Sequence, residues 1–344
     1  MASEKINANI QVVNAPDIAG LTFRNYQGKS DFVIMSAIVE ASNKADQIKE
    51  GISVEDFENR NKNNSKVDLF KDVLIAEVSG EAVAYAHVFW EDEHNGPRVY
   101  FNSGFVLATW RRKGLGGAMH AHNEKRIREI AASHPPEIEK VLECWAADTE
   151  LGSNALFQKS GYEPIRYFFL MLRDLNEPIP DATLPENLEI RPADESQYRQ
   201  IFAASNEAFR DHWGHVEATE ESYQRRISRP NLNPALWKVA WDGDEVAGMV
   251  LNEINTEENK QFGLNWGWTD PISVRRPWRR RGLARALILE SLKELKSLGF
   301  SHAALGVDTQ NPQGALKLYE DSGYVIEERW IDYRKKWRKH DNQT

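Results

Sequence analysis

Arg111-Arg112-Lys113-Gly114-Leu115-Gly116 and Arg279-Arg280-Arg281-Gly282-Leu283-Ala284 are two copies of one short basic-glycine turn. Each follows a valine-bearing apolar stretch and precedes apolar residues at helical spacing, which predicts strand, turn and helix in that order. In the second copy Leu283, Leu287, Ile288, Leu292, Leu295 and Leu298 supply the helical face, and Gly299 is placed to stop it. A helix N-terminus leaves backbone N–H groups unpaired and carries about half a positive charge. Glycine there lets an anion reach the backbone, and flanking arginines add fork-shaped contacts to phosphate. The turn therefore predicts a diphosphate-bearing ligand, twice.

The elements around the turn repeat with it. Arg111 and Arg279, and likewise Gly114 and Gly282, are offset by 168 residues, whereas Gly161 and Gly323 are offset by 162. Each half reads as a first strand, a helical acidic region, a hairpin, a strand into the turn, a helix, a strand and a short helix. The hairpins turn at Ser79-Gly80 and at Asp242-Gly243-Asp244. Between the halves Asp174–Pro185 holds three prolines and no apolar period, which reads as a linker. The expected organisation is a duplicated mixed α/β (α+β) fold: domains 1–175 and 188–344, joined by a linker over 176–187.

Composition bounds the function. A chain of 344 residues suits two domains, and 41% apolar with 10% aromatic residues belongs to a globular protein. The net charge of −9 argues against a general nucleic-acid binder, although six arginines crowd into residues 275–285. No apolar run reaches the ~20 residues of a membrane span, and the first residues lack a signal-peptide pattern. A single cysteine, Cys144, leaves no internal disulfide. The expectation is a soluble cytoplasmic protein, monomer or homodimer, with no nucleic-acid or membrane partner. Neither the glycine trio of a dinucleotide fold nor the Gly-Lys-Ser/Thr of an ATP phosphate loop is present.

With these residues in view, the chain resembles the GNAT superfamily of acyl-CoA-dependent N-acyltransferases, in tandem. The family's Arg/Gln-x-x-Gly-x-Gly/Ala signature is matched at Arg279, Gly282 and Ala284, and again at Arg111, Gly114 and Gly116, with Val274 and Val106 as the preceding valines. A later segment is matched by Asn311, Ala315, Leu318, Tyr319, Gly323 and Tyr324. The resemblance implies two GNAT-like domains, each a twisted mixed sheet flanked by helices, and acetyl-CoA or another acyl-CoA as cofactor. It implies diphosphate binding by Arg279, Arg280, Arg281, Gly282, Leu283 and Ala284, with the pantetheine arm along Ile272, Ser273 and Val274 and near Asn311. In the first half Val106, Arg111, Arg112, Gly114 and Gly116 are the corresponding cofactor residues.

Acyl transfer to an amine needs a base for an ammonium of pKa ~10 and a proton for the departing thiolate. By resemblance the proton donor is Tyr319, whose first-half counterpart is Phe157, a ring that cannot donate. Asp270 is the candidate base and its counterpart is Asn102; Glu253 is the reserve. The second half is thus expected to be catalytic and the first degenerate, structural or regulatory. His212, Trp213 and Glu253 are the candidate acceptor contacts, since aromatic surface with carboxylates suits a cationic amine. His212 and His215 have no evident third ligand, so no metal site is expected. His120 and His122 read as surface residues. The expected function is transfer of an acetyl group to a primary amine of a small molecule. Non-catalytic acyl-CoA sensing and mycothiol-synthase-like or protein-directed transfer are the alternatives.

Overall fold

The structure is a computed structural model and describes residues 9–49, 51–62, 64–229, 231–311 and 313–337. Two compact units form, one from residues 1–165 with 331–344, the other from residues 166–330.

In the first unit the order is β1 (Leu21–Asn25), α1 (Ser30–Ala45), α2 (Val54–Asn61), α3 (Leu69–Asp72), β2 (Val73–Val78), β3 (Glu81–Asp92), β4 (Arg98–Val106), α4 (Leu115–Ala132), β5 (Lys140–Ala147) and α5 (Leu151–Lys159), followed by the start of β6 (Glu163–Asp174). Strands β1 to β4 pair antiparallel in sequence order. The β2–β3 turn has positive φ at both Ser79 (53°) and Gly80 (87°), the primed geometry whose twist matches a hairpin. β4 then pairs parallel with β5, but only over Arg98–Phe101. Beyond it, Asn102–Val106 runs on beside β3 alone, so β4 and β5 splay at Asn102. Helix α4 buries Leu115, Met119, Ile127 and Ala131 against this sheet.

The second unit continues with the rest of β6, then β7 (Glu189–Arg191), α6 (Tyr198–Phe209), α7 (Glu220–Ile227), β8 (Lys238–Asp242), β9 (Glu245–Val250), α8 (Thr256–Phe262), β10 (Trp266–Trp268), β11 (Ile272–Val274), α9 (Leu283–Ser297), β12 (His302–Asp308) and α10 (Ala315–Asp321), and then β13 (Val325–Lys336). Here the strand that enters the turn is broken in two. β10 pairs parallel with β12, while β11 pairs antiparallel with β9. Thr269-Asp270-Pro271 occupies the break. The apolar face of α9, with Leu283, Leu287, Ile288, Leu292 and Leu295, is fully buried in the main core of this unit.

Two expectations change. The compact units do not divide at the proline segment: residues 166–174 of β6 pair with β12 inside the second unit, and residues 331–336 of β13 belong to the first. Nor is 176–187 a free linker, because Ile179, Ala182 and Leu184 pack on the second unit's core and Arg173 Nη2 donates to the Pro178 carbonyl at 2.7 Å. Its prolines forbid helix or strand, and its three apolar side chains are kept from water by lying on the surface of α9's core.

Candidate active site

Both basic-glycine turns have the same local build. A short 3-10 turn (Ala108–Trp110 or Arg276–Trp278) ends the approach, and Arg112 (φ 62°) and Arg280 (φ 61°) swing the chain. Gly114 (φ 90°) and Gly282 (φ 85°) then stand at the N-caps of α4 and α9 in the left-handed region. That conformation is open to glycine and strains other residues. No side chain caps either helix among the described residues, and uncapped N–H groups at a helix start are of the kind that can take an anion.

The signature arginines do something other than expected. Arg279 Nε donates to the Val274 carbonyl at 2.9 Å, its Nη1 to Asp211 at 2.7 Å and its Nη2 to the Ala208 carbonyl at 3.0 Å. Arg111 repeats this with the Val106 carbonyl at 2.9 Å, Asp46 at 2.6 and 2.8 Å, and Ser42. Each guanidinium ties the strand end to the C-terminal end of the first long helix of its unit, and its donors are spent there. Arg275 pairs with Glu207 and Glu245, and Arg276 with Asp211. Their neighbours Arg280, Arg281 and Arg112 are exposed. Arg280 has no ion pair among the described residues, and Arg281 only reaches the Glu186 carbonyl at 3.3 Å. Trp278 is a core residue whose Nε1 donates to Asp242 at 2.9 Å.

At the strand break Asp270 meets the region of Tyr319 and Tyr324. Thr269, fully buried, shares a 2.7 Å hydrogen bond with the Tyr324 hydroxyl, and Tyr319 and Tyr324 have ring centroids 6.1 Å apart. Asp270 is open to solvent as a residue, yet desolvation pushes its carboxyl up to about 6 against the pull of Arg226, with Glu253 adding to the rise. Solvent therefore reaches the residue, while Arg226 and Glu253 stand near enough for their charges to act on its carboxyl. Desolvation first, then the charge of Asp270, raises the buried Tyr319 phenol above its ordinary value, so it stays protonated. The splay that leaves Asp270 here is a backbone feature; the matching position in the first unit is Asn102.

Glu253 acts on the Asp270 carboxyl. Its backbone exchanges hydrogen bonds with Trp268 at 3.0 and 2.8 Å, and its carboxylate accepts from Arg229 at 2.9 Å. The contacts of His212 and Trp213 lead elsewhere, toward the turn: His212 feels Asp308, Arg279 and Asp211, and the Arg166 guanidinium lies 4.9 Å from the Trp213 ring centre. Asn311 accepts at Oδ1 from the Gln313 N–H at 2.8 Å. Arg226, set over the Phe202 ring at 4.8 Å, was absent from the sequence reading although its charge acts on Asp270. No spacing in Glu220–Ile227 marks it.

The first unit holds a cavity of about 840 Å³, within the range of small-molecule clefts. Arg112, Gly114 and Gly116 line one part, and Asn102, His120 and Phe157 another. His120 is not the surface residue expected; it is 7% exposed and lines the cavity. Glu150, also in the lining, has its carboxyl pushed up to about 7 chiefly by burial, against hydrogen bonds from the Ala147 N–H and Ser153.

The model of the acetyltransferase (GNAT) family matches residues 39–162 and again 198–324, together more than half of the chain. A mycothiol acetyltransferase of Geodermatophilus obscurus is 29% identical over 259 residues, covering 74% of this chain and 79% of that protein. One of Streptomyces scabiei is 26% identical over 268 residues, with coverage of 76% and 79%. Among solved structures, a GCN5-related N-acetyltransferase from Sphaerobacter thermophilus superposes with a TM-score of 0.71 at 24% identity, covering 93% of this chain and 96% of that one. A tandem GNAT protein of the clavulanic acid biosynthesis pathway gives 0.66 at 15% identity, with coverage of 92% and 98%. These likenesses agree in fold with the two turns and the splayed strands. The chain belongs to the acetyltransferase (GNAT) family, with the family's unit present twice.

Proposed function

We propose that the second unit transfers an acetyl group from acetyl-CoA to a primary amine of a small molecule. The observation that carries this reading is the strand break at Thr269-Asp270-Pro271, which sets Asp270 near enough to the buried Tyr319 of α10 for its charge to act on the phenol. The uncapped turn at Gly282, with Arg280 and Arg281, takes the diphosphate, and Ile272, Ser273 and Val274 flank the pantetheine arm. Ionised Asp270 accepts the proton that the amine loses on attacking the thioester carbon. The C–S bond then breaks, and the thiolate takes its proton from Tyr319. A phenol with a raised pKa is a weak acid, but the leaving thiolate lies in the same desolvated surroundings and is destabilised by the same cause. Glu253 and Arg226 set the charge around Asp270. The first unit, with Phe157 and Asn102 at these positions, binds cofactor at Arg112, Gly114 and Gly116 without this acid–base pair.

The name of the curated relatives supports a mycothiol-type acceptor as the specific form of this reading. A panel of primary amines, including the mycothiol precursor amine, with acetyl-CoA and thiol detection tests it. Thiol release that needs the amine and disappears with Tyr319→Phe is expected. Acetyl-CoA binding without release for every amine would favour a sensing protein instead.

A further inference from the structure

We propose that the acceptor amine also carries a carboxylate, and that the Arg226 guanidinium of the second unit takes this carboxylate while Asp270 takes the amine. The inference rests on the proposed acetyl transfer at Asp270 and adds the class of the acceptor, a zwitterion of the amino-acid type.

Arg226 is half-buried, and its guanidinium lies over the buried Phe202 ring at 4.8 Å. Arg225, Arg226 and Arg229 stand together at this end of α7, and two of them are matched by carboxylates. Arg225 has Glu221 at 3.6 Å and Arg229 has Glu253 at 2.9 Å. The Arg226 guanidinium has no hydrogen bond or ion pair among the described residues. Its N–H donors form a fixed planar fork that accepts nothing. A half-buried charge of this kind gives up hydration and gains no protein partner in return. A bound anion supplies what the chain withholds.

The placement beside Asp270 follows from Arg229. The Arg229 N–H bonds the Arg226 carbonyl at 3.3 Å, and on such a turn side chains three apart lie on one side. Arg229 holds Glu253, whose backbone pairs with Trp268, two residues before Asp270. The charges of Arg226 and Asp270 act on each other, yet the two form no ion pair. The Asp270 carboxylate also has no hydrogen bond among the described residues, and its Oδ2 lies 3.9 Å from where a Cβ on Gly306 would stand. Gly306 is exposed, and the β10–β12 pairing has ended before it, at Trp268 and Ala304. The carboxylate thus stands where β10 and β12 part, with no side chain at 306.

Charge decides the class of acceptor. Ionised Asp270 and Glu253 balance Arg226 and Arg229. An ammonium with no other charge leaves this group with an excess positive charge, and Arg226 repels it while Asp270 attracts it. A carboxylate on the acceptor keeps the balance and turns the repulsion at Arg226 into attraction. A guanidinium fork matches a carboxylate in geometry and in charge. A phosphate dianion would call on Arg229 as well, which Glu253 already occupies.

The test offers a panel of α-amino acids and their own carboxamides as acceptors, with thiol release from acetyl-CoA measured for wild type and Arg226→Gln. For the preferred pair, wild type should favour the acid over the amide by about 10²-fold in kcat/KM, although the amide's amine is the more readily deprotonated. Arg226→Gln should cut that ratio about tenfold or more, chiefly by raising KM for the acid. An equal loss for acid and amide marks a residue that acts only on Asp270 and overturns the inference. In case the variant misfolds, the α-hydroxy acid matching the preferred acceptor should inhibit wild type competitively against it, and the hydroxy amide should not; equal inhibition by the two overturns the inference. Amines without an anion, the mycothiol precursor amine included, used as well as the acids overturn it too and leave the proposed function standing. No thiol release with any amine overturns both.

Discussion

Asp270 offers the sharpest quantitative prediction. Its carboxyl is raised from 3.8 to about 6, so its ionised fraction falls to roughly 10% at pH 5 and rises to roughly 90% at pH 7. A carboxyl at the ordinary value would be more than ~90% ionised at both. With the amine found in the screen, kcat/KM for wild type should be compared with Asp270→Asn from pH 5 to 8. Taking the ratio cancels the ionisation of the amine itself, which would otherwise add its own slope. The ratio should sit on a plateau of about 10²- to 10⁴-fold above pH 7, the usual worth of a positioned base. It should drop about tenfold by pH 5, with a midpoint near 6. A ratio flat from pH 5 to 8, or a plateau near unity, would refute Asp270 as the base. The same shift has a consequence for stability: a carboxyl whose folded pKa is raised makes the fold lose stability as pH climbs from about 4 to 6. Discounted for its solvent access, Asp270→Asn should raise Tm at pH 7.5 by about 1–2 °C.

Other expectations follow from the same geometry. Tyr319→Phe should lower kcat by about 10²-fold or more with acetyl-CoA affinity unchanged in calorimetry; parallel losses would remove its role as proton donor. Arg280→Ala should weaken acetyl-CoA binding about three- to tenfold at unchanged Tm, whereas Arg279→Ala should lower Tm by several degrees because it removes the donors to the Val274 and Ala208 carbonyls and leaves Asp211 with Arg276 alone. The reverse pattern would restore Arg279 as a phosphate ligand. Gly282→Ala meets no atom within 4 Å, so its cost of about 1 kcal/mol should come from φ alone; thermal unfolding measures it. Gly248→Ala puts a Cβ 2.9 Å from the Ser273 carbonyl and 3.0 Å from Val274 Cγ2, and should cost about 1–3 kcal/mol by forcing β9 and β11 apart.

What the sequence disclosed is what short-range physics encodes. The Gly114 and Gly282 turns, the α9 stripe and the hairpins depend on residues close in the chain, and a left-handed glycine before a helical period is visible without a partner. The destinations of Arg279 and Arg111 were hidden because Asp211 and Asp46 lie 68 and 65 residues away. The membership of 331–336 in the first unit was hidden for the same reason, being a non-local pairing with no local signature. His120 was misread although a signal existed: His120, Glu124, Ile127 and Ala131 follow the inward spacing of α4, and the repeat aligns the first two with Ile288 and Leu292. Asp270 was legible as a difference from Asn102, but the rise of its carboxyl was not, since that comes from desolvation by surrounding chain and from the charge of Glu253.

The central claim is that acyl transfer is performed in the second unit, between Asp270 and Tyr319. A crystal structure of the full chain with acetyl-CoA measures it most directly, through the separation of the thioester sulfur and the Tyr319 hydroxyl. The account predicts diphosphate on the Gly282 turn and a sulfur–oxygen distance within about 4 Å, a sulfur hydrogen bond. Acetyl-CoA bound only in the first unit, or bound in the second with its thioester more than about 6 Å from Tyr319, would contradict it.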